Sequence, residues 1–268
     1  MKKFIKYIKG LILLIKNPYL MNKVLSNDSN FRSEVVKKYN LPQGLPQIEI
    51  SELFNTFNET VEPYSYLDGG STTLDIALLK ALARKYEVKS YLEIGAWRGE
   101  SVANISSVVE TCYSVNLSKN DILKLTNDEA YANSHHFFSK NISNVKIIDA
   151  NSLTFDFSSL NKKFDMIFID GDHHYESVKK DTQTAFSLLN DDNSIIVWHD
   201  YASTPEIIRW RITKAILDGS PKEKINSIYH ISNTLCAVYL PEKIKTTFLE
   251  TYKLPNKKFK VTIEMKSV

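Results

Sequence analysis

The sequence predicts an α/β fold: a doubly wound, mostly parallel sheet of seven strands with a helical N-terminal extension. From residue 72 onward, short apolar runs alternate with helical patterns, which is typical of parallel strands joined by crossover helices. The strand-like runs are continuously apolar, as expected for strands covered on both faces. The composition, 43% hydrophobic and 24% charged over 268 residues, is that of a globular protein.

Helices and strands alternate regularly along the central part of the chain. The spacing of apolar residues predicts helices at 73–83, 101–109, 121–131, 176–189 and 205–217, the first of them capped by Thr73. Strand-like runs cover 91–94, 111–115, 145–148, 164–169, 194–198, 228–231 and 235–240. The last two strands suit a hairpin, and the alternating tail at 259–265 predicts a half-buried strand.

Residues 1–20 form a basic amphipathic segment. Their apolar residues recur at three- and four-residue steps between lysines, and Pro18 ends the pattern. The longest uncharged run, 10–15, is too short to span a membrane, which takes about 20 apolar residues. Two interpretations stay open: a helix packed on the domain or on a second subunit, or a peripheral anchor on an anionic membrane face.

We divide the chain into a helical extension at 1–70, an α/β domain at 71–245 and a tail at 246–268. Residues 1–40 hold nine Lys and Arg against two acidic residues, so the remainder of this +3 chain is net acidic and is not predicted to bind nucleic acid. Cys112 and Cys236 lie far apart in apolar runs. They predict buried thiols and a cytoplasmic protein. A homo-oligomer is a further possibility that the sequence leaves open.

A glycine-containing turn follows the first strand of the predicted domain. Gly95 and Gly99 allow a tight turn and a close ligand approach, but their spacing is not that of a dinucleotide-binding turn. Glu93 and Glu100 would repel a pyrophosphate and would suit a cationic ligand, such as the amino group and sulfonium of S-adenosylmethionine. The alternative is a plain entry turn into a helix.

Acidic and imidazole side chains follow two later strands. Asp170 and Asp172 end one apolar run, and His199 and Asp200 end the next. Because parallel strands place their carboxyl ends side by side, we expect these four side chains to converge. Carboxylates about 5 Å apart repel by about 3 kcal/mol per pair, which calls for a proton or a cation among them. Oxygen ligands favour Mg²⁺, and histidine shifts the preference towards Mn²⁺ or Fe²⁺. Ordinary caps and turn residues are the alternative.

Three segments carry a family resemblance: LEIGAWRGES, FDMIFIDGDHHYESVKKD and SIIVWHDY. Between about residues 78 and 240 the chain resembles class I S-adenosylmethionine-dependent methyltransferases. More narrowly, it is similar to the O-methyltransferase group that includes macrocin O-methyltransferase and the cephalosporin hydroxylase-like proteins. The resemblance implies a Rossmann-like methyltransferase fold, with S-adenosylmethionine and a divalent metal as cofactors.

The resemblance also implies roles for individual residues. The cofactor-binding set is Glu93, Gly95, Gly99, Ser101, Asn116, Asn151, Ser152 and Asp170. Asp170, His199 and Asp200 correspond to the metal ligands, while Asp172 would act as the base with His173 in reserve. Asn116 stands where relatives carry an acidic residue, and His199 where some carry aspartate. Outside the motifs, His135 and His136 are expected in solvent.

The implied activity is metal-assisted methyl transfer to the hydroxyl of a small molecule or a sugar, with glycan biosynthesis as the setting suggested by the basic N-terminal segment. Two other classes stay open. Asp170-Gly171-Asp172 is also the D-x-D pattern of metal-dependent glycosyltransferases. A non-catalytic protein that retained the methyltransferase fold is the third possibility.

Overall fold

The computed structural model describes residues 2–20 and 28–267. Parts of the predicted N-terminal segment and extension, namely Met1 and residues 21–27, lie outside the described residues, as does Val268. The strands are β1 Gln47–Ile48, β2 Ser90–Ile94, β3 Thr111–Asn116, β4 Val145–Asp149, β5 Met166–Ile169, β6 Ile195–Trp198, β7 Ala202–Thr204, β8 Ile207–Ile208, β9 Ile228–Ile231 and β10 Ala237–Tyr239.

The helices alternate with the central strands as predicted. They are α1 Lys2–Lys16, α2 Asp28–Tyr39, α3 Ile50–Leu53, α4 Thr73–Lys85, α5 Glu100–Ser106, α6 Lys119–Thr126, α7 Glu129–Ser134, α8 Tyr175–Leu188 and α9 Trp210–Gly219. Single 3₁₀ turns lie at Phe157–Leu160 and Lys222–Ser227.

The large sheet has the order β1-β9-β10-β6-β5-β2-β3-β4. Strands β4, β3, β2, β5 and β6 run parallel, and the predicted hairpin of β9 and β10 adds antiparallel pairs. The chain leaves β2 in one direction towards β4 and returns to the other side of β2 with β5. The carboxyl ends of β2 and β5 therefore flank the switch point where ligands of doubly wound folds bind.

Each face of the sheet packs on its own helices. One core joins Leu92 and Ile196 to apolar residues of α2, α8 and α9. The other joins Tyr91 and Val197 to α3, α4 and α5. Successive residues of a strand thus enter opposite cores, which explains why the strand segments are apolar without alternation. The doubly wound, mostly parallel fold is confirmed.

The sheet has eight strands rather than the predicted seven. The additional strand is β1, which comes from the predicted extension and pairs in parallel with β9 through Gln47 and Ile48. Two residues are too short a run to show a strand periodicity, and the pairing partner lies far along the chain. The outer side of β1 forms an antiparallel bridge from Gln47 to Thr247.

The helix predicted at 205–217 is wrong in its first half. Strands β7 and β8 form a small antiparallel hairpin there, with Pro205 in the connection. Helix α9 begins later because the Asp28 carboxylate accepts hydrogen bonds from the backbone N–H groups of Trp210 and Arg211. The capping residue lies in α2, so local periodicity could not locate this helix start.

Three smaller expectations are also corrected. The N-cap of α4 is Thr72 rather than Thr73, and it forms a capping box with Asp75. The helix expected at 121–131 is divided by Asn127, whose left-handed backbone ends α6. The tail at 259–265 is not a strand, and Val261 and Ile263 are exposed. Strand β1, one edge of the sheet, already bridges to Thr247.

Two expectations about exposure and membranes can also be compared with the structure. Cys112 and Cys236 are buried and free, as predicted. Within residues 2–20 and 28–267, no helix has both the length and the apolar character needed to cross a bilayer.

The side chain of Asp218 joins α9 to α2 and α8. Its carboxylate accepts hydrogen bonds from Lys38, Tyr39, Tyr175 and Lys214, with donor–acceptor distances of 2.5 to 2.7 Å. Burial alone would raise the pKa of Asp218, but these four donors outweigh it and lower the pKa well below its usual range.

We expect Asp218→Asn to lower the free energy of unfolding by about 2 kcal/mol, because a charged acceptor of several partly buried hydrogen bonds is replaced by a neutral amide. Urea titration at neutral pH measures the difference. The control is Asp192→Asn, which changes a fully exposed carboxylate 3.9 Å from Lys224 and should cost less than about 0.5 kcal/mol.

The native chain and Asp218→Asn should also differ in how their stability depends on pH. Because the folded-state pKa of Asp218 is lowered, its stabilisation is present above the unfolded pKa of about 3.9 and is lost as the pH falls towards the folded value. The stability difference between the native chain and Asp218→Asn should therefore shrink below about pH 4. A constant difference down to pH 2 would contradict the assigned role.

Candidate active site

The turns after β2 and β5 touch each other at the switch point of the sheet. Gly95 has φ +92°, and a Cβ atom there would lie 2.4 Å from the backbone oxygen of Asp170 and 2.4 Å from the Cα of Gly171. Only glycine permits both the left-handed backbone and this close approach. The glycine turn and the acidic segment, more than 70 residues apart in sequence, are therefore direct neighbours.

His199 joins the carboxylates at this edge. Its Nδ1 lies 3.1 Å from Oδ1 of Asp170 and 3.1 Å from Oδ2 of Asp200, while Nε2 lies 3.3 Å from Oδ2 of Asp75. Burial alone would lower the pKa of His199, but these three carboxylates raise it well above its usual value. The ring is therefore a buried cation that donates through both nitrogens.

Asp75 was not identified from the sequence as a site residue. It is fully buried, and its Oδ2 also accepts hydrogen bonds from the backbone and hydroxyl groups of Thr72, while Oδ1 accepts one from the backbone of Leu235. The capping-box pattern Thr72-x-x-Asp75 was the local sequence pattern that could have drawn attention to Asp75. It identifies a helix start, but the contact with His199 spans 124 residues and has no local signature.

Asp170 and Asp200 have further partners at the rim of the cluster. The Ser71 hydroxyl donates to Oδ2 of Asp170 at 3.0 Å. Arg209 lies 2.7 Å from Oδ1 of Asp200, and Nε2 of His173 lies 2.7 Å from Oδ2 of the same residue. The convergence expected for Asp170, His199 and Asp200 is present, and His173 belongs to the same group.

The sequence predicts that Asp172 joins this cluster, and the structure places its carboxylate elsewhere. Its carboxylate accepts a hydrogen bond of 2.6 Å from the Ser177 hydroxyl and lies 2.5 Å from Nδ1 of His174. The reason is its position just before α8, where a carboxylate interacts with the first turn of the helix. These two contacts, together with a backbone hydrogen bond at His174, outweigh burial and lower the pKa of Asp172. The side chain stays about half exposed.

Glu93 and Ser101 lie beneath the glycine turn. Oε1 of Glu93 accepts a hydrogen bond of 2.5 Å from Ser101, and Oε2 accepts one of 2.6 Å from Tyr91. Burial raises the pKa of Glu93 to about 8, so the carboxyl group is mainly neutral at pH 7. The expectation of a free carboxylate facing a cationic ligand is not met, because both oxygens are buried and bind residues of the chain.

A second packed segment covers the other side of the turn. The backbone N–H groups of His136 and Phe138 donate to the carbonyl oxygens of Trp97 and Arg98. A Cβ atom at Gly99, which has φ +81°, would lie 2.4 Å from the Ser139 hydroxyl. Residues 136–139 therefore pack directly on the residues that follow Gly95.

The end of β3 meets the same segment. Nδ2 of Asn116 lies 2.7 Å from Nδ1 of His135. Burial lowers the pKa of His135 to about 4 and also lowers that of His136, so both rings are neutral at pH 7. The prediction that these two histidines lie in solvent is wrong, because this polar stretch packs on the glycine turn.

Polar atoms in this region lack partners of their own. Among the described residues, both ring nitrogens of His136, Nε2 of His135 and the hydroxyl of Ser139 are buried without a hydrogen-bond partner. Buried polar groups normally find partners, so orphaned atoms call for an explanation. They fit the predicted S-adenosylmethionine, whose ribose hydroxyl groups can donate to and accept from neutral side chains beside the glycine turn.

The predicted adenine segment follows β4. Oδ1 of Asn151 accepts a hydrogen bond of 3.0 Å from the backbone of Leu153, closing a local turn. Ser152 is a hydrogen-bond partner of Asp181 in α8. Burial raises the pKa of Asp181 to about 6, and its Oδ1 is another buried atom without a hydrogen-bond partner in the described chain. Asp181 is thus a polar neighbour of the segment that the sequence did not indicate.

The donor set also fits a divalent cation. Asp170, His173 and Asp200 each offer a ligand atom, and these atoms lie within 4.8 Å of one another. Two carboxylates and one imidazole suit Mg²⁺, Mn²⁺ or Fe²⁺. His199, one of the predicted ligands, instead uses both ring nitrogens in contacts with carboxylates, so His173 is the better candidate for the third ligand.

Comparisons with known proteins bear on these observations. Residues 92–201 match the family model described as "Methyltransferase domain". No curated protein matches the chain in sequence.

Several solved structures are similar to the chain. The SAH-bound methyltransferase PaMTH1 of Podospora anserina is 18% identical, with 66% of this chain and 82% of that chain covered and a TM-score of 0.46. The O-methyltransferase of Bacillus cereus in complex with SAH is 15% identical, with 65% and 84% covered and a TM-score of 0.43. The O-methyltransferase TomG of Streptomyces achromogenes is 12% identical, with 64% and 81% covered and a TM-score of 0.42.

The matched segment begins in the first of the three motifs and ends with the last residue of the third. It therefore includes the glycine turn, the acidic cluster and the strands that bring them together. Residues 92–201 thus match a methyltransferase domain in sequence, which agrees with the resemblance expected from the motifs.

Proposed function

We propose that this enzyme transfers the methyl group of S-adenosylmethionine to a hydroxyl oxygen of a small molecule or sugar, assisted by a divalent cation. The contact between Gly95 and the backbone of Asp170 carries the proposal. It sets the predicted cofactor turn directly beside the carboxylate cluster. For an in-line displacement, a methyl donor bound at the turn and a hydroxyl acceptor bound at the cluster must lie next to each other.

The cluster would orient the acceptor. Asp170, Asp200 and His173 would hold the cation, which when bound polarises the acceptor hydroxyl. The buried His199 ring keeps the two carboxylates in place, because it contacts both of them and is itself fixed by Asp75. Arg209 neutralises part of the charge of Asp200 from the other side.

The proton of the hydroxyl needs an acceptor. Asp172 stays the proposed base: its carboxylate is about half exposed, and its lowered pKa keeps it ionised at neutral pH. It lies on the same loop as Asp170 but outside the cation cluster. Separate residues would then bind the cation and remove the proton.

The cofactor and metal assignments are tested by calorimetry with S-adenosylhomocysteine, with and without Mn²⁺. We expect S-adenosylhomocysteine to bind and Mn²⁺ to bind independently at one site per chain. Uridine diphosphate serves as the comparison ligand, since a glycosyltransferase that used Asp170 and Asp172 would bind it with the metal. Binding of uridine diphosphate without binding of S-adenosylhomocysteine would overturn the proposal, and failure of both ligands and Mn²⁺ to bind would indicate a non-catalytic protein.

A pair of neighbouring variants separates the two proposed roles. His173→Gln should weaken Mn²⁺ binding at least about 10-fold, because it removes an imidazole from the cation cluster. Asp172→Asn, one residue earlier, should leave the Mn²⁺ dissociation constant unchanged. Equal losses in both variants would show that the cluster is wrongly composed.

The base assignment predicts that Asp172→Asn loses methyl transfer without losing ligand binding. Asp172→Asn should retain binding of S-adenosylhomocysteine and lower methyl transfer by about 100-fold, as expected for the loss of a general base. The rate is the formation of S-adenosylhomocysteine from S-adenosylmethionine during incubation with a panel of phenols and sugars. The matched control is Asp192→Asn, which makes the same change at a fully exposed carboxylate outside the site. Turnover by Asp172→Asn at the rate of the control would exclude this residue as the base.

A further inference from the structure

Helix α1 divides lengthwise into an apolar half and a basic half. Successive residues of a helix are about 100° apart, so positions three and four residues apart share a face. The apolar half carries Phe4, Ile5, Tyr7, Ile8, Leu11, Ile12, Leu14 and Ile15. The other half carries Lys3, Lys6, Lys9 and Lys16, with Leu13 among them.

The apolar half of α1 is largely exposed, and of its residues named above only Leu14 is partly buried. Phe4 is 68% exposed, Leu11 61% and Ile15 71%, values typical of side chains in open solvent. The interpretation that α1 packs on its own domain is therefore wrong. A continuous exposed apolar surface of this kind marks an interaction site, because its burial elsewhere is favourable.

The charges around this surface identify the kind of partner. Residues 1–27 contain no Asp or Glu, so every formal side-chain charge in that stretch is positive. Lysines on the polar half of an amphipathic helix attract anionic lipid headgroups while the apolar half enters the acyl region. The 15-residue helix carries too many charges to span a bilayer, which leaves a position parallel to the surface.

A second copy of the chain fits this surface less well. Two α1 helices packed through their apolar halves would bring their flanking lysines together, with no acidic residue in either helix to pair with them. Helix pairs of that kind normally carry opposite charges beside the apolar seam. The charge distribution thus favours a bilayer over self-association.

We propose that α1 is a peripheral membrane anchor, which binds the surface of anionic lipid bilayers through Phe4, Leu11, Ile15 and their apolar neighbours. The lysines of the opposite half lie at the headgroups. The anchor is independent of the methyltransferase site, because none of its residues belongs to that site. It would restrict the enzyme to acceptors at or near the membrane surface.

The test is co-sedimentation of the full chain with lipid vesicles. We expect binding to vesicles that contain phosphatidylglycerol in phosphatidylcholine, at least about 10-fold weaker binding to pure phosphatidylcholine, and release as the salt concentration is raised. Equal binding to both vesicles, or no binding to either, would overturn the proposal.

Two variants with the same change of chemistry isolate the apolar half. Leu11→Glu places a carboxylate in the apolar half and should reduce vesicle binding about 10-fold or more. Leu13→Glu introduces the same charge on the lysine half and should reduce it less than about 3-fold. Equal losses would show that attraction depends on net charge alone, which would overturn the insertion of the apolar half.

Folding and self-association are followed in the same proteins. Binding of S-adenosylhomocysteine should be equal in the native chain and both variants, which shows that the domain is intact. Sedimentation without lipid should show no self-association that depends on Leu11. A dimer that Leu11→Glu dissociates would assign the surface to a second copy of the chain and contradict the lipid proposal.

Discussion

The site depends on one buried cation, the ring of His199, held among carboxylates from three parts of the chain. Asp170 and Asp200 end neighbouring parallel strands, so the fold itself forces two negative groups together. The protonated ring, itself buried, offsets their repulsion from within. On its other side it contacts Asp75, the carboxylate that also caps α4. The orientation of the ring and the start of a core helix are thereby coupled.

The carboxyl edge of the sheet has two electrostatic regions that meet at Gly95. Around Asn116, the rings of His135 and His136 are neutral because they are buried, and Glu93 beneath the glycine turn is mainly neutral for the same reason. Around Asp170 the groups are charged. A neutral region suits the uncharged hydroxyl groups of a nucleoside, while a charged region suits ion binding and proton removal. The close approach of the two turns at Gly95 joins these regions into one site.

The sequence predicted those parts of the fold and site whose signals are local. Continuous apolar runs located the central strands, and residues that end strands β5 and β6 were correctly expected to meet. Asp75 and the strand β1 were missed because their partners lie more than 100 residues away. The prediction that Asp172 joins the cluster was wrong for a different reason. The first turn of α8 supplies Ser177, whose hydroxyl binds the Asp172 carboxylate. The residue types of the tail at 259–265 alternate like those of a strand, but Val261 and Ile263 are exposed and the tail pairs with neither edge of the sheet.

The short strand β1 has a consequence for how the domain can be separated from its extension. It occupies the outer hydrogen-bonding side of β9 with residues that precede the methyltransferase segment by about 40 positions. A chain cut to begin at residue 71 would keep every motif residue and yet present β9 as a bare edge, with unpaired backbone groups along a strand whose four residues are buried in the full chain. Such an edge recruits the strands of other molecules. Residues 47–48 therefore cover a strand edge of the domain that carries the site, although they precede all of its motifs.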